Sequence, residues 1–374
     1  MGPTVQPRIG YLDGIRALAI ASVLIVHWLS SQLPIGYGGY IGVDVFFVLS
    51  GYIITSMLWR STVTGSIAGR WLTFIRRRIR RLYPALIGMV VGTILLSALI
   101  PGAPSDPLDL LPTAALALTQ AMSFYAAAEI TPPNPYDITW SLAVEWMFYL
   151  VWPLLIFAAK RREIAPMKLA RASAYIALTV YCLALLQSDR WFYYGPVARV
   201  PEIVAGGVLA LVLAASSSEA WTGRQKNVTV AVAGLSLAAL AAYTMLGPVQ
   251  WSPVFRFVGA PLTVIATLSL IVVGVRAPAS GIVRLLSAPL MTYVGRISYS
   301  VYLWHAVPLA ILTRNSLPGV SLVVVAIIGV ISSLAFSFAS YYLLEKPFLK
   351  PRVTSLAITP TPDNSTDNAN NLFR

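Results

Sequence analysis

The stretch Tyr11-Leu-Asp-Gly-Ile-Arg-Ala-Leu-Ala-Ile-Ala-Ser-Val-Leu-Ile-Val-His-Trp-Leu29 decides the class of fold. It is apolar enough to enter a bilayer, yet it carries Asp13, Arg16 and His27. On an α-helix Arg16 and His27 are separated by roughly three full turns, so they share one face about 16 Å apart along the axis. Ionisable residues inside a span cost several kcal/mol and persist where they face a bundle interior or a polar cavity. Two on one stripe mark a polar path through the membrane. Arg16 read alone is equally an anchor whose head snorkels to the cytoplasmic edge. His27 stands about 24 Å above Tyr11, beyond mid-bilayer, where packing supplies no reason for an imidazole.

The rest of the chain has the composition of an integral membrane protein. Of its 374 residues 57% are hydrophobic and 11% charged, with a mean hydropathy of +0.73. The question is therefore topology rather than core size. The net charge of +13 does not imply nucleic acid, because the basic residues fall mainly in short segments between apolar ones, the positive-inside pattern. The single cysteine, Cys182, excludes a disulfide framework or a Cys-based metal site and reads as a small buried hydrophobe.

Apolar segments of spanning length lie near 12–31, 40–59, 82–101, 139–159, 172–188, 198–215, 228–247, 256–275, 292–313 and 319–343. Two arginine- and lysine-rich segments, 60–81 and 160–171, are expected to be cytoplasmic loops. Span 82–101 leaves the cytoplasm and span 139–159 returns to it, so the apolar stretch 111–128 between them cannot make a single crossing. It is expected to be a re-entrant or surface segment on the outer side. The expectation is an all-α bundle of about ten crossings with both termini inside. A membrane domain would cover 1–350, and the polar segment 351–374 reads as a disordered cytoplasmic tail.

Candidates for chemistry are few. His305 closes Ser298-Tyr-Ser-Val-Tyr-Leu-Trp-His305, about 21 Å up its span. Glu145 lies in Trp140-Ser-Leu-Ala-Val-Glu-Trp-Met-Phe-Tyr149, about 9 Å below the outer surface. His27, His305 and Glu145 are thus expected in one layer, with Ser141 orienting the carboxylate from the preceding turn. A histidine beside a carboxylate in a dry layer suits base catalysis. A structural ion pair for Glu145 and a hydrogen-bonded structural role for His305 are the alternatives. Two histidines and scattered carboxylates show no metal-ligand spacing. In Gly42-Val-Asp-Val-Phe-Phe-Val-Leu-Ser-Gly51, Asp44 reads as a cap or loop pin, and the glycines suit close helix approach. Arg199 and Glu202, at i and i+3, either pair with each other or line an acceptor site. The run Phe74-Ile-Arg-Arg-Arg-Ile-Arg-Arg-Leu-Tyr-Pro84 fits anionic headgroups, and it also suits phosphates of a nucleotide-bearing donor. Intramembrane Arg, His and Glu would equally serve a transporter or flippase.

Together, in order, Leu12-Asp-Gly-Ile-Arg16, His27, Gly42 to Gly51, Arg77-Arg78 with Arg81 and Pro84, Trp140 to Tyr149, Ser298 to His305 and Leu344-Glu-Lys-Pro-Phe348 resemble the membrane-bound acyltransferase family 3. The likeness runs from about residue 9 to 350. It implies a ten-span fold and an O-acyltransferase that uses cytoplasmic acyl-coenzyme A as donor substrate, with no bound cofactor. The acceptor it implies is a hydroxyl of a carbohydrate, a lipid-linked sugar or a macrolide-type antibiotic. Carried over by position, His27 is the favoured catalytic residue and Arg16 helps hold the coenzyme. Glu145 is linked to function, and Arg77, Arg78 and Arg81 to the donor. Many sugar-acetylating members carry a fused SGNH-hydrolase-like domain. With none in these residues, the membrane domain itself or a separate periplasmic or extracellular protein is expected to finish the transfer.

Overall fold

The computed structural model describes residues 10–30, 35–62, 65–100, 103, 106–128, 135–216, 221–311 and 319–349. Among them the chain is helical throughout, with no strand. It is a polytopic membrane helix bundle, in which eight helical segments are by themselves long and apolar enough to cross a membrane. The tail expected at 351–374 lies outside the described residues.

Helix α1 (Gly10–Leu24) runs into a π-helical turn, Ile25–Leu29, that carries His27. After a 3-10 turn, α2 (Ile41–Arg60) returns. Close backbone approach is built from glycine. A Cβ on Gly42 would meet the Ala19 carbonyl oxygen of α1 at 2.2 Å, and one on Gly51 would meet the Ile203 oxygen at 1.7 Å.

The basic run is not a loop. Helix α3 (Ile67–Leu99) is continuous for 33 residues, so its first half carries the arginines and its second half is the expected span. The charges and the apolar span fit one helix because arginine is a good helix former, and Pro84 interrupts neither. The stretch 111–128 folds as two short helices, α4 (Leu111–Leu118) and α5 (Met122–Ala127), neither long enough to cross. A left-handed residue, Gln120 at φ 59°, turns the chain between them.

Helices α6 (Trp140–Arg161), α7 (Pro166–Ala184), α8 (Asp189–Tyr194), α9 (Pro196–Ala215), α10 (Gly223–Leu246) and α11 (Ala260–Arg276) follow. The chain continues through α12 (Gly281–Leu286), α13 (Pro289–Trp304), α14 (Val307–Ile311), α15 (Leu322–Ser340) and α16 (Lys346–Leu349). Two expected spans are not among the eight: α7 begins with Lys168 and Arg171, and α13 stops after 16 residues at His305. Ten crossings and cytoplasmic termini rest on the charge argument.

For the site, the decisive packing is α1 beside α13. A Cβ on Gly295 would meet the Asp13 carbonyl oxygen at 1.8 Å, and one on Gly14 the Leu286 oxygen at 1.9 Å. The two helices run in the same direction, because Asp13 meets Gly295 near one end and His27 meets His305 at the other.

Candidate active site

Three hollows follow one another through the bundle. At the basic end, a bowl of about 570 Å³ lies between α2 and α3 and is lined by Arg70, Arg77, Arg78 and Arg81. Arg70 is committed to structure there. It donates to the Thr62 carbonyl oxygen and, at 2.8 Å, to Ser61 Oγ. Arg78 lies with its guanidinium 5.1 Å from the Phe74 ring and 5.4 Å from Tyr149. Arg77 is exposed.

Arg78 and Arg81 also line the second hollow, an inner cavity of about 100 Å³ that contains Arg16, Ser50, Glu145, Tyr149 and Ser298. Arg16 Nε donates to Ser298 Oγ across the α1–α13 contact at 3.3 Å. Glu145 is held at both oxygens: Ser50 Oγ donates to Oε1 at 2.5 Å and Tyr149 OH to Oε2 at 2.7 Å. With three guanidinium groups in the same cavity, the carboxylate balances part of their charge.

The third hollow, about 120 Å³, holds His27 and His305 among Tyr40, Trp140, Tyr193, Tyr194, Asp137 and Gln250. The two imidazoles meet edge to face with ring centroids 4.6 Å apart. His27 Nδ1 lies 2.9 Å from the Val23 carbonyl oxygen, and His305 Nδ1 lies 2.6 Å from that of Tyr302. A carbonyl only accepts, so each Nδ1 carries the proton and each neutral ring keeps its lone pair on Nε2. His305 is fully buried and its Nε2 has no hydrogen-bond partner among the described residues, whereas His27 is exposed. The His305 carbonyl accepts from Trp28 Nε1 at 2.9 Å and from Ser333 Oγ at 3.1 Å, which fixes the turn that carries the ring.

Glu145 does not join the histidine layer. The histidines sit at helix ends, in the π turn after α1 and just past α13, while Glu145 lies about one and a half turns inside α6. Depth counted from the first apolar residue of each span misses this offset. Ser141 does not orient Glu145 either; it pairs with Tyr302 OH at 2.7 Å, and Ser50 takes the expected part.

Asp44, Arg199 and Glu202 line none of the three hollows. Arg199 is fully buried, with Nη1 at 3.0 Å from Asp44 Oδ1 and 2.9 Å from Glu202 Oε1, and Nε donating to the Tyr193 carbonyl oxygen at 2.8 Å. Asp44 therefore ties α2 to α9 rather than capping a helix or pinning a loop. Asp13 Oδ2 stands 3.7 Å from Arg296 Nε at the basic end.

Ser50, Tyr149 and Tyr302 were not anticipated at the site. Tyr149 follows Glu145 by one helical turn and Tyr302 precedes His305 by three residues, so period alone could have found both. Ser50 comes from another helix and left no such signal.

The family described as an acyltransferase domain matches residues 9–342. A protein provisionally named peptidoglycan O-acetyltransferase YrhL, from Bacillus subtilis (strain 168), is 30% identical over 90% of this chain and 54% of its own length. Peptidoglycan O-acetyltransferase OatA of Listeria monocytogenes serovar 1/2a (strain ATCC BAA-679 / EGD-e) is 28% identical over 90% of this chain and 56% of its own. A protein provisionally named as an O-acetyltransferase from Staphylococcus aureus (strain COL) is 28% identical over 94% and 59%. The chain thus spans a little over half the length of these relatives. No solved structure matches it. With a match that covers nearly all the described helices and all three hollows, the chain belongs to this acyltransferase family.

Proposed function

We propose that the protein is a multi-pass O-acyltransferase of the bacterial inner (plasma) membrane. It would move an acyl group, an acetyl in the first instance, from cytoplasmic acyl-coenzyme A to a hydroxyl of a sugar, glycan or macrolide-type acceptor. The relatives' names support the reaction class. The observation that carries the route is the sharing of walls: Arg78 and Arg81 line both bowl and inner cavity, and Val43 and Tyr302 line both inner cavity and outer pocket.

On this reading the coenzyme's phosphates rest on Arg77, Arg78 and Arg81, where guanidinium forks suit phosphate oxygens. The pantetheine arm passes Arg16, and the thioester arrives at the histidine pocket. There His27 Nε2, with its lone pair free, attacks the carbonyl carbon or takes the proton of the acceptor hydroxyl. Either way the acceptor oxygen ends bonded to that carbon, the C–S pair leaves on sulfur and the hydroxyl proton goes to the thiolate. The aromatic rings of the outer pocket, with Asp137 and Gln250, offer flat faces and hydrogen-bonding groups to a polyhydroxylated acceptor.

Membranes that contain the protein should release free thiol from acetyl-coenzyme A, and a transporter should not. Surface glycans from cells with and without the gene should differ by an acetyl mass. Replacing Arg77 and Arg78 together by alanine should raise KM for the thioester several-fold with a smaller change in kcat, since binding common to ground and transition states is lost. A fall in kcat at unchanged KM would remove the donor role of the bowl.

A further inference from the structure

The route just described has one narrow place. Among the described residues, only Val43 and Tyr302 line both the inner cavity and the outer pocket. Both are 7% exposed, so both are packed into the wall between the hollows. Tyr302 is fixed in it. Its OH donates to the Ile138 carbonyl oxygen at 2.7 Å, which leaves the oxygen to accept from Ser141 Oγ at 2.7 Å. Its own carbonyl receives the His305 Nδ1 proton. The Phe46 ring stands 6.4 Å from the tyrosine ring. Val43, on α2 opposite, carries no side-chain hydrogen bond and offers two methyl groups to the gap.

We propose that Val43 and Tyr302 form a neck that sets the size of the acyl group, and this rests on the donor reading given above. With the coenzyme's phosphates held on the arginines, the acyl group leads and the thioester carbonyl follows it. To bring that carbonyl to His27, the acyl chain and the carbonyl both pass the neck, and the chain then lies against Val43 and Tyr302 on the outer side and shares about 120 Å³ with the acceptor hydroxyl. An acetyl meets both limits with one methyl group. Each further methylene takes up more of that space and presses the chain against the valine, since the tyrosine is held by its bonds. The neck adds no chemical step; it selects which thioester reaches His27. Tyr302, bonded three ways, is its rigid jamb, and Val43 is its adjustable one.

The test is a size series at Val43 in the full chain, reconstituted in vesicles. Thiol release, with water as acceptor, is measured with acetyl-, propionyl- and butyryl-coenzyme A for the wild type, Val43→Ala and Val43→Ile. One methylene in a shaped apolar pocket is worth about 10- to 200-fold in kcat/KM. The wild type should prefer acetyl over propionyl by about tenfold or more. Val43→Ala should cut that preference about tenfold, and Val43→Ile should sharpen it. The two variants bracket the native side chain, so misfolding of one still leaves an ordered pair. Preferences that are equal across the series, or not ordered by side-chain size, overturn the neck while an active wild type keeps the donor reading. A wild type that releases no thiol from any thioester removes the donor reading and the neck with it.

Discussion

At the scale of single residues, His27 and His305 are the pair on which the proposed chemistry turns. Both present Nε2 unprotonated in the neutral state and both line the pocket, but His27 is exposed and His305 is fully buried. His27→Ala should abolish transfer, with a loss of about 10²–10⁴-fold for a missing general base and more for a missing covalent route. The variant should still insert and still bind coenzyme A, as checked by a thermal shift with the free coenzyme. His305→Ala should be milder. A reversed ranking would exchange their roles, and two active variants would move attention to Glu145. The stripe of Arg16 and His27 was legible because helical period survives the π turn well enough to keep both facing α13. The position of Glu145 was not. Its depth depends on where α6 starts relative to the ends of α1 and α13, and that offset is set by packing between distant parts of the chain.

Among the elements, α3 and the pair α4–α5 show what charge patterning can and cannot decide. The sign of the 60–81 segment placed one end of α3 at a membrane face, yet it could not tell a loop from a helix that projects beyond the bilayer. For 111–128, parity of the flanking basic segments excluded a crossing, and α4 and α5 are too short to make one. Cysteines introduced at Asp106 and Ala128, both exposed, should therefore react with an impermeant reagent from the same, outer side. The background should carry Cys182→Ser, since the native thiol, expected from its apolar neighbours to be buried, is in fact exposed on α7. Labelling from opposite faces would place a crossing between them and undo the charge-based topology. Glycine contacts were only partly readable. Gly42 and Gly51 sit in a motif that suggested close approach, but their separate partners, Ala19 on α1 and Ile203 on α9, emerge only from the fold.

For the molecule as a whole, the Asp44–Arg199–Glu202 cluster is the brace that joins α2 to α9 away from the hollows. The Tyr193 and Phe255 rings, each 4.8 Å from the guanidinium, shield it. Arg199→Met would strand two buried carboxylates, a defect worth about 3–5 kcal/mol. Folded yield and thermal stability in detergent should fall sharply, and adding Asp44→Asn with Glu202→Gln should recover much of the loss. An unchanged melting temperature in the single variant would show that the brace holds nothing. The partition at Val43 and Tyr302 has a separate consequence, in bioenergetic terms. A protein that passes cargo through a membrane risks short-circuiting the ion gradients that the membrane stores. Here each of the two hollows beside the partition is small, about 100 Å³ and 120 Å³. Two buried side chains stand between them. On the proposed donor route, a covalently tethered group would pass this partition with side chains closing around it, so the cell would decorate its exterior from a cytoplasmic thioester pool while the membrane keeps its voltage.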